Sequence, residues 1–137
     1  MRAADLRPGD AHTAVVVEDL SRTEIAMYAG ASGDFNPLHT DEVYATRVAG
    51  YDTVIAHGQL TMALTAKLVT QWVDEARLVS FGVRFVRQVW PGDTLTVTAT
   101  VAAVDSPDED PFVHLELVTT NADGDKVVTG YATLRDY

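Results

Sequence analysis

The sequence predicts an α+β fold: a single domain in which an antiparallel sheet wraps around one long buried helix. Three observations carry that expectation. Apolar residues between 59 and 73 (Leu60, Met62, Leu64, Leu68, Val69, Trp72 and their neighbours) spread around the whole cylinder at about 100° per residue, as in a helix taken inside. From residue 79 onward the pattern changes to period two. Val79, Phe81, Val83 and Phe85 come first, then Leu95, Val97, Ala99 and Val101, with later runs at 113–117 and 128–134. Finally, the runs are joined by short connections such as Trp90-Pro91-Gly92-Asp93 and Asp123-Gly124, which suit antiparallel neighbours.

Taken in order, Leu6-Arg7-Pro8-Gly9-Asp10 reads as a turn before a short strand over 13–17. Ser21 with Glu24 three residues later forms a capping box, opening a helix to about Ala29 that Gly30 and Gly33 end. Thr40 or Asp41 caps a second short helix over 42–45, and 47–57 is a connecting loop. Gly58 then opens the long helix, with Thr61, Thr65 and Trp72 on one side. Residues 106–111 form a polar loop between the third and fourth strands. The short extra helices flank the stretch with the most chemistry in it.

The composition bounds what the protein does. One domain over residues 1–137, with 47% apolar and 22% charged residues, has room for a real core. A formal charge of −10 argues against nucleic acid as a partner. Lys67, Arg77, Arg84 and Arg87 are the nearest candidates for a local anion contact, although solvated surface charge explains each of them singly. Zero cysteines exclude disulfides and thiolate chemistry, and together with the absence of a membrane-length apolar run they lead to the expectation of a cytoplasmic protein. No phosphate loop, dinucleotide fingerprint or Gly-x-Ser-x-Gly is present, so no cofactor is expected. A metal held by Asp34, His39 and His57 fits no ligand spacing.

The stretch over 31–41 places a carboxylate, Asp34, five residues before an imidazole, His39, in a segment that cannot be one continuous helix. Gly33 frees the backbone, Asn36 favours a turn, and Pro37 removes a donor and pushes Asn36 toward extended geometry. Such a loop aims two groups of different proton affinity at one point. Turn chemistry with a helix cap explains every residue of it except His39. His57 is read as a structural group at the helix entry, with a substrate contact as the alternative.

The segment Tyr28-Ala29-Gly30-Ala31-Ser32-Gly33-Asp34-Phe35-Asn36-Pro37-Leu38-His39-Thr40-Asp41, followed by Ala56-His57-Gly58, resembles the signature of the MaoC-like, R-specific enoyl-thioester hydratases. The resemblance implies the hot-dog fold and reversible hydration of trans-2-enoyl thioesters to (3R)-3-hydroxyacyl thioesters. Asp34 and His39 match the family's catalytic pair, Asn36 its neighbouring polar residue, and Gly58 the glycine whose N–H faces the thioester carbonyl. Within the family the chain looks closest to the actinobacterial (3R)-hydroxyacyl-thioester dehydratase B subunit. One departure stands out. The R-hydratases carry a serine eight residues beyond the glycine, and here Ala66 stands there. Thr61 or Thr65 supplies the missing hydrogen bond, or the chain follows the branch that lacks that serine.

The implied partners are an acyl thioester of coenzyme A or acyl carrier protein and a second hot-dog subunit, identical or not. Two competing readings are a non-catalytic acyl-thioester-binding subunit and a hot-dog thioesterase.

Overall fold

The computed structural model describes residues 1–73, 77–105 and 111–136. The period-two runs form strands β2 (Arg77–Phe85), β3 (Leu95–Asp105), β4 (Phe112–Thr120) and β5 (Lys126–Arg135), preceded by β1 (Ala11–Val17). All neighbours are antiparallel, in the order β1-β3-β4-β5-β2. The first two strands in sequence therefore occupy opposite edges, and the helices α1 (Arg22–Ser32) and α2 (Gly58–Trp72) lie in the chain that joins them. Of the polar loop expected over 106–111, residues 106–110 lie outside the described residues.

Alternation places Leu95, Val97, Ala99 and Val101 of β3, and Val113, Leu115 and Leu117 of β4, on one sheet face, where they are buried. Leu68 and Val69 of α2 pack in the same core. Exposure of α2 departs from the all-round burial that its composition suggested. Thr61, Thr65, Leu68 and Val69 are buried, whereas Gln59, Ala63, Lys67, Thr70 and Gln71 are exposed. A five-stranded sheet curls over only one side of the helix, and the other side carries most of its polar residues.

At the start of α1 both halves of the capping box form: the Ser21 hydroxyl accepts from the Glu24 N–H, and the Glu24 carboxylate accepts from the Ser21 N–H. The helix runs through Gly30, a residue of low helix propensity, and stops only at Gly33, whose φ of 75° gives a left-handed cap. Asp41 rather than Thr40 caps the next helical segment, accepting from the Tyr44 N–H; a π-helical turn spans Tyr44–Val48.

The core contains a buried polar pair. Thr65 Oγ1 donates back to Thr61 O at 3.0 Å and lies 2.7 Å from Thr119 Oγ1 on β4. Both side chains are fully buried. Removing the Thr65 hydroxyl strands that of Thr119, at a cost of about 1–3 kcal/mol, whereas removing both is close to neutral. Thr65→Val alone is therefore expected to lower the urea-unfolding free energy by about 1–3 kcal/mol, and Thr65→Val with Thr119→Val to recover most of it. Additive losses would show that the pair contributes nothing as a pair.

Candidate active site

Three segments build the site: the loop over 33–41, the buried strap over 54–57, and the first turn of α2. The loop folds on itself through Asx turns. Asn36 N–H donates to Asp34 Oδ1 at 3.2 Å, and Leu38 N–H donates to Asn36 Oδ1 at 3.0 Å. The strap then fixes the loop from below. Ile55 N–H donates to Leu38 O at 3.1 Å, and Ile55 O accepts from His39 Nδ1–H at 2.7 Å. On its other side the strap reaches the β2–β3 connection, where Ala56 N–H donates to Val89 O at 2.8 Å.

The bond to Ile55 O determines the His39 tautomer, since a carbonyl only accepts. In the neutral ring Nδ1 carries the hydrogen and the Nε2 lone pair points away from the strap. Nε2 lies 3.8 Å from Asp34 Oδ2, too long for a direct hydrogen bond. The His39 side chain is 10% exposed and that of Asp34 50%. Asp34 thus meets solvent while His39 is held inside.

The loop has a second brace at its far end. Arg22 donates to Glu42 Oε2 and to Thr53 Oγ1, both at 2.7 Å, and Thr53 Oγ1 donates to the same Glu42 oxygen at 2.9 Å. The Arg22 guanidinium, with the Thr53 hydroxyl, holds the Glu42 carboxyl below its ordinary range. The brace is consequently in place above the ordinary carboxylate pKa and weakens as pH falls through the lowered one.

Gly58 is the first residue of α2, and its N–H has no acceptor among the described residues. It belongs to the set of helix-start donors that concentrate positive potential. A cleft of about 520 Å³ opens there, lined by His39, Ile55, Ala56, Gly58, Thr61 and residues 85–89. A Cβ on Gly58 would come within 3.1–3.4 Å of the Phe85 ring, so glycine at this position leaves room for that ring.

His39, Gly58 and Thr61 therefore share one cleft, with Asp34 beside His39. The structure does not bring Thr65 to it, because the Thr65 hydroxyl is committed to Thr61 O and Thr119 inside the core. Between the two threonines that the Ala66 departure left open, Thr61 is the one in the cleft; its Oγ1 has only a long 3.5 Å contact to His57 O. Asn36 spends its amide oxygen on the turn and contributes its backbone N–H to Asp34. His57 is 1% exposed and packs behind His39 rather than in the cleft wall. Despite their sequence spacing, donor atoms of Asp34, His39 and His57 gather within 4.8 Å of one another. His39 Nδ1 and His57 Nε2 each already have a backbone carbonyl partner.

Of the four basic candidates, Arg87 alone lines the cleft, and it pairs with Asp125 at 3.1 Å. Phe85 was not singled out for the site by its sequence. Its alternation with Phe81 and Val83 indicates a sheet face, but only the strand order brings that face to Gly58. The Ile55 carbonyl carries no side-chain signal at all.

Comparison with known proteins agrees with this architecture. The model of the MaoC like domain matches residues 5–122. The (R)-specific enoyl-CoA hydratase of Rhodospirillum rubrum is 33% identical over 132 residues, covering 95% of this chain and 88% of that protein. The structure of the (R)-hydratase from A. caviae involved in PHA biosynthesis superposes with a TM-score of 0.85 at 26% identity, covering 98% of this chain and all of that one. The C-terminally truncated HadBC (3R-hydroxyacyl-ACP dehydratase) complex from Mycobacterium tuberculosis gives a TM-score of 0.72 at 26% identity, covering 93% and 96%. Three other relatives are much longer, and the chain spans 13%, 31% and 4% of their lengths. The hot-dog architecture and the match over most of its length show that this chain belongs to the MaoC-like family.

Proposed function

We propose that the chain is a hydro-lyase that reversibly hydrates trans-2-enoyl thioesters to (3R)-3-hydroxyacyl thioesters. The observation that carries this reading is the meeting, in one cleft, of His39, with Asp34 beside it, and the Gly58 N–H at the start of α2. Dehydration needs a base at C2, an acid for the departing hydroxyl, and stabilisation of charge growing on the thioester oxygen. His39 Nε2, bare because Nδ1–H is bound to Ile55 O, takes the C2 proton. Asp34, carrying the one proton that the pair holds, gives it to the hydroxyl, which leaves as water as the C2–C3 double bond forms, and the proton taken up at Nε2 then passes back to Asp34 across the 3.8 Å gap to reset the pair. Hydration reverses each transfer. The 3.8 Å between Oδ2 and Nε2 allows one water oxygen to sit about 2.8 Å from both.

The dyad alone accounts for roughly 10²–10⁴-fold in rate. The Gly58 N–H supplies the second term: an oriented donor at a helix start contributes most where negative charge develops, and losing one such donor costs about 10²–10³. Ala66 offers no hydroxyl, and Thr61 is the residue whose hydroxyl lines the cleft in its place.

The site is completed by a second hot-dog subunit, a copy of this chain or a relative. Strand β2 is a sheet edge paired only with β5, and it carries exposed Leu78, Val79 and Phe85. Phe85 both belongs to that edge and covers Gly58, so a partner seated there would wall the cleft. The substrate is an acyl thioester carried on coenzyme A or on acyl carrier protein.

Crotonyl-CoA hydration, followed by loss of enoyl absorbance and by chiral analysis of the product, tests the reading. Wild-type protein should yield the (3R) product, and Asp34→Asn and His39→Ala should each lose at least ~10²-fold in kcat with unchanged unfolding curves. Near-native turnover in either variant would reject the dyad. Free thiol released without enoyl loss would select a thioesterase, and binding without turnover, with or without a co-expressed partner, a non-catalytic subunit.

Gly58 permits a separate test of the N–H. Proline is tolerated at the first position of a helix, and His57 already has the extended φ and ψ (−62°, 137°) that a following proline demands. Gly58→Pro should lose about 10²–10³ in kcat, whereas Gly58→Ala, which crowds Phe85 but keeps the N–H, should lose much less. Equal losses in the two would show that crowding, not the donor, matters.

A further inference from the structure

Beside the cleft lies a buried titratable group to which the mechanism above gives no task. His57 is 1% exposed at the position just before α2, and its side chain makes no capping bond to the helix. Its Nε2–H donates to the backbone carbonyl of Asp34 at 3.1 Å. Its ring stacks on His39, with centroids 3.7 Å apart and planes 21° from parallel. The edge of Tyr28 closes the other side at 4.9 Å. Because Asp34 O only accepts, Nε2 carries the hydrogen. Nδ1 is then left as a buried atom with no hydrogen-bond partner.

An unpaired buried nitrogen is a standing stability cost, and an apolar ring of similar shape would not incur it. The other contacts of His57 supply a reason for tolerating that cost. One side touches Asp34, the flat face touches His39, and the next peptide unit carries the Gly58 N–H. The exposed Asp34 loop has no other hydrogen bond to the strap at Asp34 itself.

The geometry points to His57 as a positioning residue: it registers Asp34 and the His39 ring against the Gly58 donor, by a hydrogen bond to the Asp34 carbonyl and a ring stack, without touching substrate. The inference rests on the hydro-lyase reading. A displacement of about 1 Å between reacting groups costs on the order of 10²-fold in rate while leaving substrate binding largely intact.

Two substitutions separate this role from a merely structural one. His57→Phe keeps a flat ring against His39, removes the Nε2–H donor and removes the orphaned Nδ1. It should lower kcat for crotonyl-CoA hydration by about 10–100-fold, with KM within about 2-fold and a thermal midpoint equal to or above native. His57→Gln places an amide N–H where Nε2–H stood and should restore kcat to within about 5-fold of native. A purely structural residue reverses this order, with phenylalanine, the better core residue, as active as native.

His57→Phe with native kcat overturns the inference, as does a kcat loss that parallels a falling midpoint while His57→Gln is equally impaired. If His57→Phe does not fold, His57→Gln decides alone: near-native kcat and KM support the tether, and a folded but inactive protein overturns it. Wild-type protein assayed in the same series keeps the outcomes distinct. Absence of hydration there rejects the hydro-lyase reading, not the placement of His57.

Discussion

The site depends on a reciprocal pair of hydrogen bonds between the dyad loop and the strap before α2. Ile55 N–H donates to Leu38 O, and Ile55 O accepts from His39 Nδ1–H. The first bond places the loop. The second orients the imidazole and leaves the Nε2 lone pair on the cleft side. Because Ile55 lies three residues before Gly58, the same strap that holds the base also sets where α2 begins. The proposed proton-handling group, His39, and the proposed charge-stabilising donor, the Gly58 N–H, are therefore placed by one short buried segment rather than by two independent elements.

That arrangement explains why a loop carries the chemistry without being loose. Its backbone donors are taken up by Asx turns at Asp34 and Asn36, its entry is stopped by the left-handed cap at Gly33, and its exit is braced by Arg22, Glu42 and Thr53. The sheet supplies the rest. By placing β2 at an edge, the strand order brings Phe85 over Gly58 and leaves the cleft bordered by a strand with one free side. In the proposed reading, partner docking and cleft closure are parts of the same geometric event.

Much of this was legible in the sequence, for identifiable reasons. Period-two alternation marked the four C-terminal strands because β3, β4 and β5 each turn one face into the core and β2 continues the pattern at the edge. The capping box at Ser21 and Glu24 is local chemistry and formed as expected. Asp34 and His39 stood out because turn preference does not explain a histidine at that place. Where long-range packing decides, the sequence was silent or misleading. Helix α1 runs through Gly30 because nothing before Gly33 adopts a left-handed φ. The apolar content of α2 suggested burial all round, whereas the sheet covers one side. Thr61 and Thr65 are one turn apart and indistinguishable by pattern, yet Thr119 on β4 claims the second. His57 showed itself as a helix-entry residue, but its stack on His39 needed the loop and the strap to be brought together.

The central claim, that the start of α2 polarises the thioester carbonyl beside the dyad, has a direct spectroscopic reading. In ¹⁵N–¹H spectra of the Asp34→Asn protein titrated with crotonyl-CoA, the Gly58 amide proton should move downfield and saturate with the binding isotherm, as a newly formed hydrogen bond requires. A Gly58 amide that stays in place while crotonyl-CoA binds and other cleft residues shift would contradict the account.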